Sequence, residues 1–272
     1  MARLPTYFIS HGGGPWPWLT GPFRREFQEL ERSLIAVRGE IGARPRAVLA
    51  ISGHWEGPQF TVQTSPNPGM VYDYGGFPPE TYSIRYPSPG APDVARRVFE
   101  LLTAAGIGAA LDPNRGYDHG VFAPLKAIYP DADVPVLQLS LKNGYNAAEH
   151  FAAGRAIAPL RDEGVVILGS GLSWHNLRML GPAARESSAA FDRWLDATLS
   201  AAPDERERRL NRWDQAPMAR VAHPQEDHLL PLMVAVGAAE HETAHRVYHE
   251  EAFMGGVTAS SYRFGDPPGQ SG

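Results

Sequence analysis

The stretch TYFISHGGG, residues 6–14, contains the pattern that decides the fold. A short strand-like apolar run leads directly into His11, and three glycines follow it. Similar runs recur as AVLAISG at 47–53, VPVLQLS at 134–140 and GVVILGS at 164–170. Continuous apolar runs of this length are typical of strands that are buried on both faces of a sheet.

Helical periodicity fills much of the sequence between and after these runs. It predicts helices over residues 21–38, 92–105, 146–162, 186–201 and 228–238. Strands that alternate with helices predict an α/β fold, in which helices flank a mostly parallel or mixed central sheet. We expect a single domain at 1–264 and a disordered tail at 265–272.

The composition narrows the classes of function. With 272 residues, 43% of them hydrophobic, the chain is long enough to bury one large core. The net charge of −5 gives nucleic acid or an anionic membrane surface no electrostatic reason to bind. The absence of cysteine excludes disulfides, thiolate metal ligands and cysteine nucleophiles. Because no leader pattern and no long apolar run is visible, we expect a cytoplasmic protein that does not enter membranes.

Residues 55–91 interrupt the alternation of strands and helices. The segment is rich in proline, glycine and tyrosine, and it has little helical periodicity. Loops of this length in compact domains usually have a function. Residues 73–77 therefore predict a structured loop that walls a pocket for a flat ligand, although a surface hairpin fits the same pattern.

Histidines mark the ends of the predicted strands. His11 follows the first run, His54 follows the second, and His175 comes shortly after the fourth. The carboxyl ends of parallel strands share one edge of a sheet, where α/β proteins bind ligands, so we expect these side chains to lie together. His119 stands in the predicted loop YDHGVFAP, and His228 stands at the start of an apolar helix pattern.

Four further histidines follow polar patterns, and we expect them to be solvent-exposed: His150, His241, His245 and His249. His241 and His245 have the spacing of a helical zinc-binding pair. The glutamate of an HExxH motif is missing, so the pair carries no functional prediction.

Imidazole chemistry indicates which kind of site the strand-end histidines form. Neutral imidazole is a ligand for zinc, iron, copper and nickel. Two or three protein ligands with open positions are typical of a catalytic metal site, here at the carboxyl ends of the strands. We interpret the glycines after His11 as space for the backbone to approach the metal and for external ligands to bind.

Six stretches together resemble a known family, in its order and over nearly the whole chain. They are FISHGGGPW, ISGHWE, YDYGGFPPETYSIRYPSPG, YDHGVFAPLKAIYPDADVPVLQLS, LGSGLSWHNLR and HPQEDHLLPLMVAVGAA. The chain resembles the 4,5-DOPA extradiol dioxygenases, a branch of the class III extradiol ring-cleaving dioxygenases.

The resemblance implies an oxidoreductase that inserts O2 into a catechol, DOPA or another substituted one, at a mononuclear non-haem metal. The implied product is a muconic semialdehyde. Fe(II) is the implied functional metal, while Zn(II) occupies the site in some purified or crystallised members. A small aromatic diol and O2 are the expected partners, and a homo-oligomer stays open.

The resemblance also implies roles for individual histidines. His11, His54 and His228 match the metal ligands of the family. His175 matches a histidine beside the metal that serves either as a fourth ligand or as the acid/base group. We assign proton transfer to His175, and we assign to His119 a hydrogen bond to the substrate hydroxyl or to oxygen.

Other positions are assigned on chemistry alone. Tyr72, Tyr74 and Phe77 are predicted to stack on the substrate ring. Arg178 is predicted to bind a substrate carboxylate, with a surface ion pair as the alternative. Class III relatives outside this branch use a carboxylate as third ligand, so Glu226 or Asp227, next to His228, stays an alternative ligand.

Two other functions fit the same histidines. A zinc-dependent hydrolase would use zinc to activate water instead of iron to bind oxygen. A non-catalytic metal- or ligand-binding protein on the same fold would keep the pocket without the reaction.

Overall fold

The continuous apolar runs of the sequence form the middle of an eight-stranded sheet. The computed structural model describes residues 3–269. The strands are β1 (Thr6–Ser10), β2 (Ala47–Gly57), β3 (Phe60–Gln63), β4 (Ala109–Asp112), β5 (Val136–Lys142), β6 (Val165–Gly171), β7 (Ala244–Phe253) and β8 (Val257–Phe264). They lie in the order β4-β3-β5-β2-β6-β1-β8-β7. The central strands β5, β2, β6 and β1 run parallel, whereas β8 is antiparallel to β1, which confirms the predicted mixed α/β sheet.

Helices cover both faces of this sheet. They are α1 (Gly21–Arg25), α2 (Gln28–Ile41), α3 (Pro92–Ala104), α4 (His119–Ile128), α5 (Ala147–Ile157), α6 (Arg185–Leu199), α7 (Pro203–Leu210), α8 (Ala219–Ala222) and α9 (Leu230–Gly237). In β6, a side chain at Gly169 would overlap Pro231 of α9, whereas the next residue, Ser170, donates to the Gly120 carbonyl of α4. Since successive strand residues point to opposite faces, α9 and α4 lie on opposite sides of the sheet.

The predicted helices are present with shifted ends. The 21–38 pattern is divided, because α1 ends at Arg25 and α2 begins at Gln28. The 146–162 pattern is α-helical only to Ile157 and continues as a 3₁₀ turn over Ala158–Arg161, where Pro159 cannot donate a helical hydrogen bond.

Residues 55–91 are only partly the loop that the sequence predicts. Strand β2 continues into the segment as far as Gly57, and the whole of β3 follows. The hairpin alternative for 73–77 is wrong, because residues 71–78 form no strand. The remainder is mostly irregular, with one 3₁₀ turn at Pro79–Tyr82.

One expectation about the polar histidines is wrong. His150 is fully buried, because its ring replaces a backbone partner: the Lys142 N–H donates to Nε2 at 3.1 Å, while Nδ1 contacts the Asn146 carbonyl at 2.8 Å. His245 lies in β7, so it cannot form a helical pair with the exposed His241.

The carboxyl-terminal segment follows β8. The Gly265 N–H donates to the Thr243 carbonyl at 3.0 Å. The predicted tail at 265–272 is described only as far as Gly269, and 270–272 lie outside the described residues. Between residues 3 and 269, no helix is long and apolar enough to cross a membrane.

Candidate metal centre

Three histidine nitrogens converge at the carboxyl edge of the sheet. His54 Nε2 lies 3.3 Å from His11 Nε2 and 3.1 Å from His228 Nε2. Two nitrogen ligands about 2.1 Å from one ion, at an angle of about 90° to 110°, are separated by about 3.0 to 3.4 Å. Both measured distances are therefore those of ligands around a single ion, and all three nitrogens lie within 4.8 Å of one another.

The opposite nitrogen of each ring fixes the protonation of these three histidines. Nδ1 lies 2.9 Å from the Gly12 carbonyl in His11, 3.2 Å from Asp73 Oδ2 in His54 and 2.9 Å from Asp227 Oδ2 in His228. Carbonyls and carboxylates only accept, so each Nδ1 carries the hydrogen and each Nε2 presents a lone pair. Three lone pairs aimed at one point fit a metal cation.

Burial keeps these rings neutral. It lowers the pKa of His11 and of His228 well below the ordinary value, and the charges of neighbouring histidines add to the shift. The pKa of His54 is lowered to about 3, chiefly by burial and then by His119. At neutral pH the imidazoles are thus in the form that binds metal.

The backbone brings the ligands together through close packing at the strand ends. The His11 N–H donates to the Gly171 carbonyl at 3.1 Å, and the Leu172 N–H donates to the His228 carbonyl at 3.1 Å. A Cβ on Gly171 would lie 2.0 Å from the His228 carbonyl oxygen. Glycine at the end of β6 therefore lets the His228 segment lie directly on the sheet.

The interpretation of the glycines after His11 as space for external ligands is wrong for Gly12 and Gly14. A Cβ on Gly12 would lie 2.5 Å from Trp16 Nε1, and a Cβ on Gly14 would lie 2.6 Å from the Phe77 ring. Both glycines have positive φ, +83° and +53°. They let the chain turn back so that Trp16 donates to the His11 carbonyl at 2.8 Å, and aromatic rings fill the space.

His119 joins the cluster as the first residue of α4, not as a loop residue. Its ring centroid lies 4.0 Å from that of His54. Asp73 Oδ1 accepts from the His119 N–H at 3.0 Å and from His119 Nδ1 at 2.9 Å. The same carboxylate therefore contacts a predicted ligand and a predicted catalytic histidine. From the sequence, Asp73 is predicted only to be part of a pocket wall, because its histidine partners are distant along the chain.

His175 lies on the other side of the cluster. Its ring stacks on that of His228, with centroids 3.3 Å apart and an interplanar angle of 16°. Its Nδ1 is 3.9 Å from Asp227 Oδ1. Burial, and then His119, lowers the pKa of His175 to about 4.

The alternative carboxylate ligands occupy other places. Asp227 lies on the Nδ1 side of His228, away from the three converging nitrogens. Glu226 forms an ion pair with Arg220 at 2.8 Å. This arrangement favours the imidazole of His228 as the third ligand.

The predicted substrate-binding residues are divided between the site and its surroundings. The Tyr74 ring lies 5.9 Å from the His119 ring and 5.5 Å from the Phe77 ring, so both belong to an aromatic wall. The ring centroids of Tyr72 and Tyr74 are 6.2 Å apart, and the Tyr72 hydroxyl donates to a backbone carbonyl of the loop. Arg178 is exposed, and no ion pair forms between it and any other residue in the range 3–269, contrary to the ion-pair alternative.

An α/β sheet whose edge collects three neutral imidazoles beside an aromatic wall defines a metal-dependent enzyme that acts on a flat substrate. Residues 5–265 match the family model of the catalytic LigB subunit of aromatic ring-opening dioxygenases. The chain belongs to this family and is an aromatic ring-opening dioxygenase, as the resemblance implied.

Individual relatives agree with the family match. The chain is 36% identical over 264 residues to the 4,5-DOPA dioxygenase extradiol of Beta vulgaris, covering 95% of this chain and 96% of that protein. It is 33% identical to the protein of the same name from Escherichia coli K12, covering 97% and 95%. A crystal structure of an uncharacterised Escherichia coli K12 protein superimposes with a TM-score of 0.78 at 30% identity, over 97% of this chain and all of that one. The hydrolase and binding-protein alternatives find no support in these matches.

Proposed function

We propose that the enzyme cleaves a catechol next to its diol, with O2, at a metal held by His11, His54 and His228, and releases a muconic semialdehyde. The convergence of the three Nε2 lone pairs supports the metal site. Fe(II) is the proposed functional metal, with Zn(II) as a competitor for the same nitrogens. Since two named relatives are 4,5-DOPA dioxygenases, DOPA or a related substituted catechol is the first candidate substrate.

The donor set suits a catechol. When bound, the metal supplies a shared anchor for both catechol oxygens and O2 and a path for electrons between them. Neutral imidazoles do not offset the charge of the ion, so the site favours an anionic, bidentate ligand. A catecholate is such a ligand.

His119 is placed to accept a proton or a hydrogen bond. Its Nδ1–H is donated to Asp73, so its Nε2 carries a lone pair. We assign to this atom the hydrogen bond to a substrate hydroxyl. The adjacent Tyr74 ring and Phe77 provide an apolar surface for the substrate ring.

His175 is the proposed proton-transfer group. Among the described residues, Asp227 Oδ1 is a buried acceptor without a hydrogen-bond partner, and it faces His175 Nδ1 across 3.9 Å. A proton taken up at Nδ1 is therefore held against a carboxylate. Tyr72 and Arg178 are proposed to contact the ring substituent, where the exposed Arg178 is free to bind a carboxylate.

An oxygen-electrode experiment tests this proposal. Protein free of metal is loaded anaerobically with Fe(II) and mixed with a catechol panel that includes DOPA and protocatechuate. We expect oxygen uptake together with a new yellow absorbance, and we expect the zinc-loaded protein to show neither. Iron-loaded protein that consumes no oxygen with any catechol would contradict the proposal.

A further inference from the structure

We propose that Asp73 is a positioning residue that couples the loop 70–77 to metal binding. Its carboxylate holds His54 in the ligand tautomer and His119 in the acceptor tautomer at the same time. The inference deepens the proposed function and rests on the metal site described there.

Asp73 joins three separate parts of the chain. Oδ2 lies 3.2 Å from Nδ1 of His54, which belongs to β2. Oδ1 accepts from the N–H and from Nδ1 of His119, at the start of α4, at 3.0 Å and 2.9 Å. The Asp73 side chain is only 18% exposed, so water offers limited competition for these contacts.

The position of His54 explains why it needs an external partner. Pairing of β2 with β6 ends at Ser52, and pairing with β5 is interrupted between Ile51 and Glu56. His54 lies in this interruption, where the sheet does not hold it on both sides. The carboxylate therefore adds a side-chain contact at a residue that the sheet ladder leaves unpaired.

Only a group with two acceptor atoms satisfies this arrangement. The backbone N–H and Nδ1–H of His119 donate to Oδ1 of Asp73, while Nδ1 of His54 lies 3.2 Å from Oδ2. Asparagine offers one acceptor oxygen and an NH2 donor, which would face one of the imidazole N–H groups. If His54 responded by moving its hydrogen to Nε2, the lone pair aimed at the metal would be lost.

The same contacts tie the loop to the site. Near its start the loop is fixed by the Val71 N–H, which donates to the Tyr117 carbonyl at 2.7 Å. Farther along, Tyr74 donates to the Thr81 carbonyl at 2.6 Å, a contact between neighbouring segments. Asp73 thus supplies the loop's hydrogen bonds to His119 and its contact with His54. Because coupling is reciprocal, a bound metal that fixes His54 also stabilises the ordered loop.

The test compares Asp73→Asn with Glu80→Gln. Glu80 lies in the 3₁₀ turn Pro79–Tyr82, so the control removes one carboxylate that contacts none of the site histidines. Co(II) affinity is measured by calorimetry, the visible Co(II) absorption is recorded, and hydrogen exchange of 70–77 is followed with and without Co(II). We expect Asp73→Asn to weaken Co(II) binding about 10- to 100-fold, alter the spectrum and remove the metal-induced protection of the loop. Glu80→Gln should behave as the parent.

Further outcomes keep the test decisive. Asp73→Glu retains two acceptor oxygens, so it should bind Co(II) more tightly than Asp73→Asn. If Asp73→Asn does not fold, Asp73→Glu is compared with the parent instead. Co(II) affinity of Asp73→Asn within twofold of the parent would overturn the role of Asp73 alone. If the parent itself bound no Co(II), the metal centre of the proposed function would fall with it. Tight Co(II) binding without catechol cleavage would overturn the proposed reaction but leave Asp73 in its role.

Discussion

The proposed metal centre has two halves, and each half consists of one aspartate beside two histidines. The aspartate–histidine distances differ between the halves. In one half, Asp73 contacts the proposed ligand His54 at 3.2 Å and the proposed substrate-binding His119 at 2.9 Å. In the other half, Asp227 contacts the proposed ligand His228 at 2.9 Å, but the proposed proton-transfer group His175 lies 3.9 Å away.

The difference in aspartate–histidine distance suits the two halves to two different tasks. A histidine that donates to a carboxylate within hydrogen-bond distance has a fixed tautomer, which suits His119 for binding a substrate hydroxyl. A histidine beyond that distance has no tautomer fixed by the carboxylate, which suits His175 for the proposed proton transfer. We therefore propose that the Asp73 half, here called the closed half, positions the substrate, and that the Asp227 half, here called the open half, transfers protons.

We expect the largest effect from the loss of His54 Nε2, because this nitrogen lies close to the Nε2 atoms of both His11 and His228. His54→Ala removes it, so metal affinity should fall by more than about 100-fold, exceeding the loss caused by a positioning residue. Oxygen uptake should fall to background. Metal content by mass spectrometry and an oxygen electrode check both results, and a variant that retains iron and activity would break the assignment of both halves.

Replacing the open-half histidine should separate chemistry from metal binding. His175→Phe keeps a flat ring against His228 but cannot carry a proton. We expect turnover to fall by roughly 10²- to 10⁴-fold while the metal content stays that of the parent. Loss of the metal instead would show that His175 is a ligand.

Burial as the cause of neutral histidines in both halves can be tested at a site remote from the metal. Burial lowers the pKa of His150 from 6.5 to about 4. Below pH 6.5 the unfolded chain therefore binds more protons at this position than the folded one. Its contribution to the free energy of unfolding is complete above pH 6.5 and decreases by roughly 3 kcal/mol as the pH falls to about 4.

The measurement for His150 is chemical denaturation of the metal-free protein between pH 4 and 7. His150→Gln should reduce the dependence of the unfolding free energy on pH in this range, whatever its effect on stability at pH 7. An unchanged dependence would show that burial does not hold His150 neutral.

The Asp227 half should tolerate an amide better than the Asp73 half. Asp227 makes one short imidazole contact, so the single acceptor oxygen of Asp227→Asn can still hold His228. We expect metal affinity to decrease less than about tenfold, compared with the larger loss for Asp73→Asn. Calorimetry with Co(II) on the two variants side by side checks this order, and equal losses would remove the distinction between the halves.

The smallest effect is expected at Arg178, on the segment that carries His175. Arg178→Ala should raise KM for carboxylated catechols by roughly fivefold or less, because an exposed ion pair contributes up to about 1 kcal/mol. Unsubstituted catechol is the control, and its KM should not change. An equal change for both substrates would place Arg178 outside substrate binding.

The sequence predicts the centre of the fold well and its margins poorly. The runs at 6–10 and 164–170 match β1 and β6 almost residue for residue, because strands buried on both faces leave uninterrupted apolar runs. Strands β7 and β8 were not predicted. In β7 the exposed and buried residues are mixed, and two histidines and several charged residues interrupt the apolar pattern.

For the site, residue type and strand position were enough to predict that His11, His54 and His175 meet at one edge of the sheet. The role of Asp73 could not be predicted, because its partners are 19 and 46 positions away and meet it only in the folded chain. His150 was misassigned for a related reason: a polar neighbourhood in sequence does not reveal that a ring caps a strand from inside the core.

The most direct test of the proposed centre is a titration of metal-free enzyme with Fe(II) under saturating catechol, with oxygen consumption recorded at each step. The three-histidine centre predicts that the rate rises linearly to about one Fe(II) per chain and then stays constant, and that His54→Ala shows no such rise. A rate that saturates at another stoichiometry, or that appears equally in His54→Ala, would contradict a mononuclear site built from His11, His54 and His228.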